Sequence, residues 1–160
     1  MTGNEYADWV AAYLTQNYSS RGLVVYREVS LGKSIIGKNR RIDILAVLEG
    51  SHRALAVECK YQATPGTADE KLPYTLQDLA ALEIPAYVVY AGEGFSQGVL
   101  HLLQGSPLAG FCLPSVTLEP DKGTLELDHI LATTFNWWDA VLKNRTPFNL
   151  NEWRIRLQKE

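Results

Sequence analysis

The sequence predicts an α/β fold, a mixed central sheet flanked by helices. Three observations lead there. One helical stripe is followed by three strand-like runs, the second and third joined by a tight turn. The later strand-like runs alternate with helical patterns. The chain has 160 residues, 46 % of them hydrophobic, enough for one globular domain with a sizeable core.

In chain order, Tyr6, Trp9, Val10, Tyr13 and Leu14 recur at helical spacing and define a first helix. Residues 23–30, 41–47 and 54–60 read as strands. The glycine-flanked basic stretch between the first two is either a loop or an extension of a hairpin. Thr67 to Glu70 has the spacing of a capping box and predicts a helix start. Pro73 then predicts a short or kinked helix, with a second helical stretch over about 74–82 whose buried side is Leu72, Leu76, Leu79 and Leu82. Residues 85–90 form a continuous apolar run, as a buried strand does. Ser96 to Leu103 reads as a helix in which Gly98 is either tolerated or close to a neighbour. A strand over 111–118 and a helix over about 126–142 follow. From Arg145 onward, Trp153, Ile155 and Leu157 alternate with Arg154 and Arg156, which reads as an edge strand or an oligomerisation arm.

Cys59 and Cys112 lie in apolar runs at no framework spacing, as core thiols of a reducing, intracellular compartment do. The amino terminus lacks the basic and apolar segments of a signal peptide, and no stretch has the length of a membrane span. The net charge of -3 argues mildly against nucleic acid as partner, because non-specific binding rests on phosphate neutralisation. The average conceals a cluster, however. Lys33, Lys38, Arg40 and Arg41 fall within nine residues that contain no acid.

The most informative segment is the turn at Gly50-Ser51. If these two residues form the loop, counting down both strands puts Asp43 directly opposite Glu58, with β-carbons roughly 5 Å apart. Lys60 shares the face of Glu58, while Ile42, Ile44, Val57 and Cys59 point to the other face and suit a core. Two facing carboxylates repel unless a cation lies between them. All-oxygen ligation by Asp43, Glu58 and the Cys59 carbonyl suits Mg²⁺, with Mn²⁺ as a substitute. The plain alternative is a solvated polar strand face that Lys60 neutralises.

The quoted residues Arg41-Ile42-Asp43-Ile44-Leu45 and Glu58-Cys59-Lys60 resemble the PD-(D/E)xK nuclease superfamily, the restriction-endonuclease-like fold. The resemblance runs from about residue 3 to residue 90 and implies a metal-dependent nuclease. It also implies a catalytic acid on the first helix, which Glu5 matches, and a polar residue after the lysine, for which Gln62 stands two positions on. Ile42 stands where the superfamily label has proline. Pro65 to Tyr74 is similar to a segment of some restriction- and phage-associated members. Without the resemblance, Glu5 reads equally as a first-turn acid favoured by the helix dipole.

Lys33, Lys38, Arg40 and Arg41 are the candidate phosphate contacts, with Lys71 beside them, although Arg41 also alternates onto the face of Asp43. The expected activity is Mg²⁺-dependent cleavage of double-stranded DNA, specific for a sequence or structure, of restriction, homing or junction-resolving type. One centre cuts one strand, so a homodimer or higher homo-oligomer is expected. The competing reading is a binding or assembly module that keeps the fold and does not cut. Phe135, Trp137 and Trp138 are read as core or oligomer contacts.

Overall fold

The computed structural model describes residues 1–66 and 70–159. A five-stranded sheet runs in the order β1 (Leu23–Lys33), β2 (Asn39–Leu48), β3 (Arg53–Tyr61), β4 (Ala86–Ala91) and β5 (Ala109–Phe111). The first three strands are antiparallel neighbours, while β4 and β5 add in parallel. Helices α1 (Gly3–Tyr18) and α4 (Leu125–Phe135) cover one face; α2 (Leu72–Ala80) and α3 (Gln97–Gly105) cover the other. Short helices α5 (Trp138–Leu142) and α6 (Leu150–Leu157) complete the chain. This is the mixed, helix-flanked α/β sheet that the sequence predicts. No helix among the described residues is long and apolar enough to cross a membrane.

Helix α1 begins with a capping box between Thr2 and Glu5 and buries Tyr6, Ala7, Val10, Tyr13 and Leu14 against β2, β3 and β4. Hydroxyls help to join it to α4. Tyr13 and Tyr18 donate to Asp128 at 2.7 and 2.5 Å, and Thr124 donates at 3.3 Å. Burial still pushes the Asp128 carboxyl above its ordinary range, with these donors pulling it back. Both cysteines are free and buried, in keeping with their use as core residues.

Several expectations about elements change. The basic stretch between β1 and β2 is both: its ends extend the two strands to Lys33 and from Asn39, and Ser34–Lys38 forms the turn. The capping box at Thr67 to Glu70 falls mostly on 67–69, outside the described residues. Pro73 does not divide a helix; it sits in the first turn of α2, where its missing N–H has no intrahelical role. The strand over 111–118 shrinks to Ala109–Phe111 because the apolar run serves another purpose. Beyond Phe111 its carbonyls accept from α1: Cys112 from the Tyr6 hydroxyl, Ser115 from the Trp9 indole and Leu118 from the Asn17 amide. The final alternation is helical, not an edge strand. The Asn149 side chain caps two amides of α6, with Glu152 in its first turn and Arg154 and Arg156 in its last.

The expected helix over 126–142 is two helices, broken at Asn136 in the left-handed region. Trp137 then stacks on Tyr18 with ring centres 5.5 Å apart, while Trp138 remains half exposed. Gly98 has open space beyond its α-carbon, so it is tolerated rather than crowded.

Candidate active site

The β2–β3 loop has four residues, Glu49 to His52, instead of two. The register is nevertheless the expected one, because the loop grows by one residue on each side. Leu48 pairs with Arg53 and the ladder continues to Ile44 with Val57, so the next positions down are Asp43 and Glu58. At this point the main-chain ladder gives way to a side chain. The Asp43 carboxylate accepts the Cys59 N–H at 2.8 Å. A strand residue directs its N–H and C=O to the same edge, so the Cys59 carbonyl also leaves toward Asp43.

The strands change face here. Ile44 packs in the α1 core, whereas Ile42 packs in the α2 core. On β1, Val25 and Leu31 divide in the same way, on either side of Glu28, whose φ of 56° is left-handed. Ile42 is therefore buried as expected but does not share a face with Ile44, Val57 and Cys59. Irregularities of this kind bend a strand and re-aim its side chains.

Lys60 donates to Glu58 at 2.8 Å, with the two side chains 27 % and 18 % exposed. Burial raises the Glu58 carboxyl above its ordinary range. The Lys60 charge pulls it down, and the Asp43 charge pushes it up again. Asp43 and Glu58 are thus close enough to repel, and Lys60 is the cation bonded to the pair. Among the described residues, no group of three His, Cys, Asp or Glu side chains forms a metal site. The oxygen set available to a divalent cation is two carboxylates with the adjoining Cys59 carbonyl, and its hard, anionic character fits Mg²⁺ or Mn²⁺.

The other predicted residues divide sharply. Gln62 is buried; its amide donates to the Gly94 carbonyl at 2.8 Å, and its Oε1 is buried without a partner among the described residues. Glu5 is exposed and accepts the Thr2 amide at 2.6 Å, the helix-cap role of a first-turn acid. Lys33 donates to Asn39 at 2.7 Å, Arg41 pairs with Glu28 at 2.8 Å, and Lys33, Lys38, Arg41 and Lys71 are all exposed. Arg40 differs from the free phosphate contact expected of it. Its guanidinium makes two bonds to Asp78, at 2.8 and 2.9 Å, and is only 10 % exposed. Lys38, Arg40, Arg41, Glu58, Tyr74 and Asp78 share one cleft of about 310 Å³.

Sequence reasoning missed Asp78 and Arg27. Asp78 falls between Leu76 and Leu79 on the buried side of α2, and an acid there demands a partner. Arg27 donates to the Asp43 carbonyl and to Asp8, linking α1 to the backbone under the carboxylate pair. Its only signal is that it is the first charge after the apolar start of β1, Leu23 to Tyr26.

The Arg40–Asp78 pair carries a stability prediction. Arg40 holds the Asp78 carboxyl below its usual range, against the effect of burial. A depressed carboxyl stabilises the fold above its unfolded pKa and loses that contribution as pH falls through the folded value. Asp78→Ala strands a buried guanidinium and the Ile35 amide, so it is expected to cost roughly 3 kcal/mol at pH 7. Urea midpoints for the two proteins should converge as pH drops below about 3.9. A gap unchanged down to pH 2.5 would show that the pair's charge contributes nothing.

The helix-flanked sheet, with an acidic pair where its hairpin opens, is a restriction-endonuclease-like core. A family model described as "PD-(D/E)XK nuclease superfamily domain" matches residues 2–138, and the chain belongs to that superfamily. No curated protein matches the sequence. One similar solved structure is titled as that of a protein of unknown function, AF1548. It is 14 % identical, with a TM-score of 0.42 over 61 % of this chain and 53 % of that one. The present chain therefore spans about half the length of that structure.

Proposed function

We propose that this protein is a divalent-metal-dependent DNA endonuclease acting on double-stranded or branched DNA, with residues 2–138 as its nuclease domain. The observation that carries the reading is the meeting of Asp43 and Glu58 at the open end of the β2–β3 hairpin, with Lys60 bonded to Glu58. Asp43, Glu58 and the Cys59 carbonyl would hold Mg²⁺ or Mn²⁺. When bound, such an ion neutralises charge at the scissile phosphate and lowers the pKa of a coordinated water.

The remaining chemistry belongs to the chain. The Cys59 amide holds the Asp43 carboxylate and Lys60 holds the Glu58 carboxylate. Lys60 offers its ammonium to the phosphate, where it stabilises the negative charge that grows during hydrolysis. Gln62 acts at one remove, holding the end of β3 through Gly94. Lys33, Lys38 and Arg41 supply the charge that binds the phosphate backbone. We leave Glu5 to the helix cap that it already makes. Cutting both strands requires two centres, so the active form is a homodimer or larger homo-oligomer, for which α6 is the candidate arm.

The test is incubation of supercoiled plasmid, linear duplex, a four-way junction and single strands with Mg²⁺, Mn²⁺ or EDTA. Cleavage that requires metal and leaves 5′-phosphate ends is expected on at least one duplex-containing substrate. Tight DNA binding with no cutting of any substrate under either metal would favour a non-catalytic binding module instead.

A further inference from the structure

The β1–β2 turn, Ser34 to Lys38, has an unusual tip. Turn residues are normally small or polar, yet Ile35 and Ile36 stand there 47 % and 60 % exposed. Adjacent β-branched aliphatics in water are unfavourable by their hydration alone. The turn is also rigidly held. The Ser34 amide donates to Lys38, the Gly37 amide to Ser34, and the Ile35 amide to Asp78 at 2.9 Å. That same Asp78 carboxylate is clamped by Arg40, which anchors the tip to α2. Gly32 and Gly37, both with positive φ and open space beyond the α-carbon, leave its flanks slim.

The surroundings indicate what such a tip would enter. Lys33 and Lys38 flank it, and no acid lies between residues 33 and 41. Ile36 and Lys38 line the same cleft as Glu58, so the tip is continuous with the candidate catalytic centre. Apolar side chains that enter a DNA groove between cationic flanks part neighbouring bases and kink the duplex.

The geometry points to the Ser34–Lys38 turn as a preformed wedge that inserts Ile35 and Ile36 into a base step of the DNA, beside the phosphate presented to Asp43, Glu58 and Lys60. The inference rests on the nuclease reading above and specifies the substrate further. DNA that is already unstacked, at a bulge or mismatch, costs less to open than a continuous duplex. The lysines hold the backbone on either side, and the Arg40–Asp78 clamp keeps the wedge from folding away on contact.

The experiment measures fluorescence anisotropy in EDTA with two labelled 30-base-pair duplexes, one intact and one with a central two-nucleotide bulge. The wild-type protein is expected to prefer the bulged duplex by about tenfold. In Ile35→Ala/Ile36→Ala the preference should fall close to one. Lys33→Ala/Lys38→Ala should weaken binding to both duplexes alike and reduce the salt slope by about 2, with the preference retained. Circular dichroism monitors folding, and Ile36→Ala alone serves if the double variant does not fold.

A wild-type ratio near one, or a ratio that survives loss of the isoleucines, overturns the wedge. If metal-dependent cleavage persists in that case, the nuclease reading stands without it. Absence of binding to either duplex overturns the wedge, and overturns the nuclease reading as well if metal-dependent cleavage is also absent. An oligomer that dissociates on the isoleucine substitutions would assign the tip to a second copy of the chain and likewise remove the wedge.

Discussion

Asp43→Asn is expected to reduce metal-dependent DNA cleavage by at least about a hundredfold while the protein stays folded. The choice of asparagine follows from the structure. The Asp43 carboxylate accepts the Cys59 N–H at 2.8 Å, and an alanine would leave that amide unpaired at the end of a ladder. Asparagine keeps an acceptor of the same shape and removes the charge, so lost activity is not confused with lost structure. Lys60→Ala should bring a loss of similar size for a different reason. It removes the cation proposed to face the phosphate and also the ammonium that offsets the Glu58 charge. Anisotropy on a labelled duplex separates binding from chemistry: Asp43→Asn should bind at least as tightly as wild type in EDTA, having lost one negative charge near the backbone. Cleavage within a factor of a few of wild type in both variants would refute this assignment of the centre.

The hairpin was legible because its register depends on a symmetric count. Two loop residues or four give the same pairing, so an error in loop length left Asp43 opposite Glu58. The local break was not legible. That Ile42 and Ile44 enter different cores coincides with a left-handed residue, Glu28, on the neighbouring strand, and alternation within one strand carries no such information. Charges were read least well. Lys33, Lys38, Arg40 and Arg41 look equivalent as a run, but a partner 38 residues away separates them, because Asp78 removes Arg40 from the surface. The strand reading at 111–118 and the alternation at 153–157 likewise mislead, because the residues there meet a helix or solvent and not a neighbouring strand. The Asn149 cap with Glu152 was the local signal that would have corrected the second case.

Gly92→Ala should produce one of the largest losses of stability available from a single methyl group. Gly92 has a φ of 109°, a conformation in which L side chains are strained, and a β-carbon there would collide with the Gln62 main chain. Strain of this sort costs about 1–3 kcal/mol and the overlap about as much again, so a loss of roughly 3–5 kcal/mol follows. For a chain of this size that corresponds to about 10 °C or more in Tm. The consequence extends beyond stability because of what the close approach secures. The Gln62 amide donates to Ala91 at 3.1 Å, its carbonyl accepts from Gly94 at 2.8 Å, and its side chain returns to the Gly94 carbonyl. These bonds fix the end of β3 two residues beyond Lys60. Moving the loop aside to admit a methyl group displaces that end, so cleavage should fall at temperatures where the protein is still folded. Gly98→Ala provides the control of opposite sign. It lies in α3 with open space beyond the α-carbon, and should raise stability by about 0.5 kcal/mol without affecting cleavage. Equal effects of the two substitutions would mean that the packing of the β4 exit against Gln62 neither stabilises the fold nor positions the lysine.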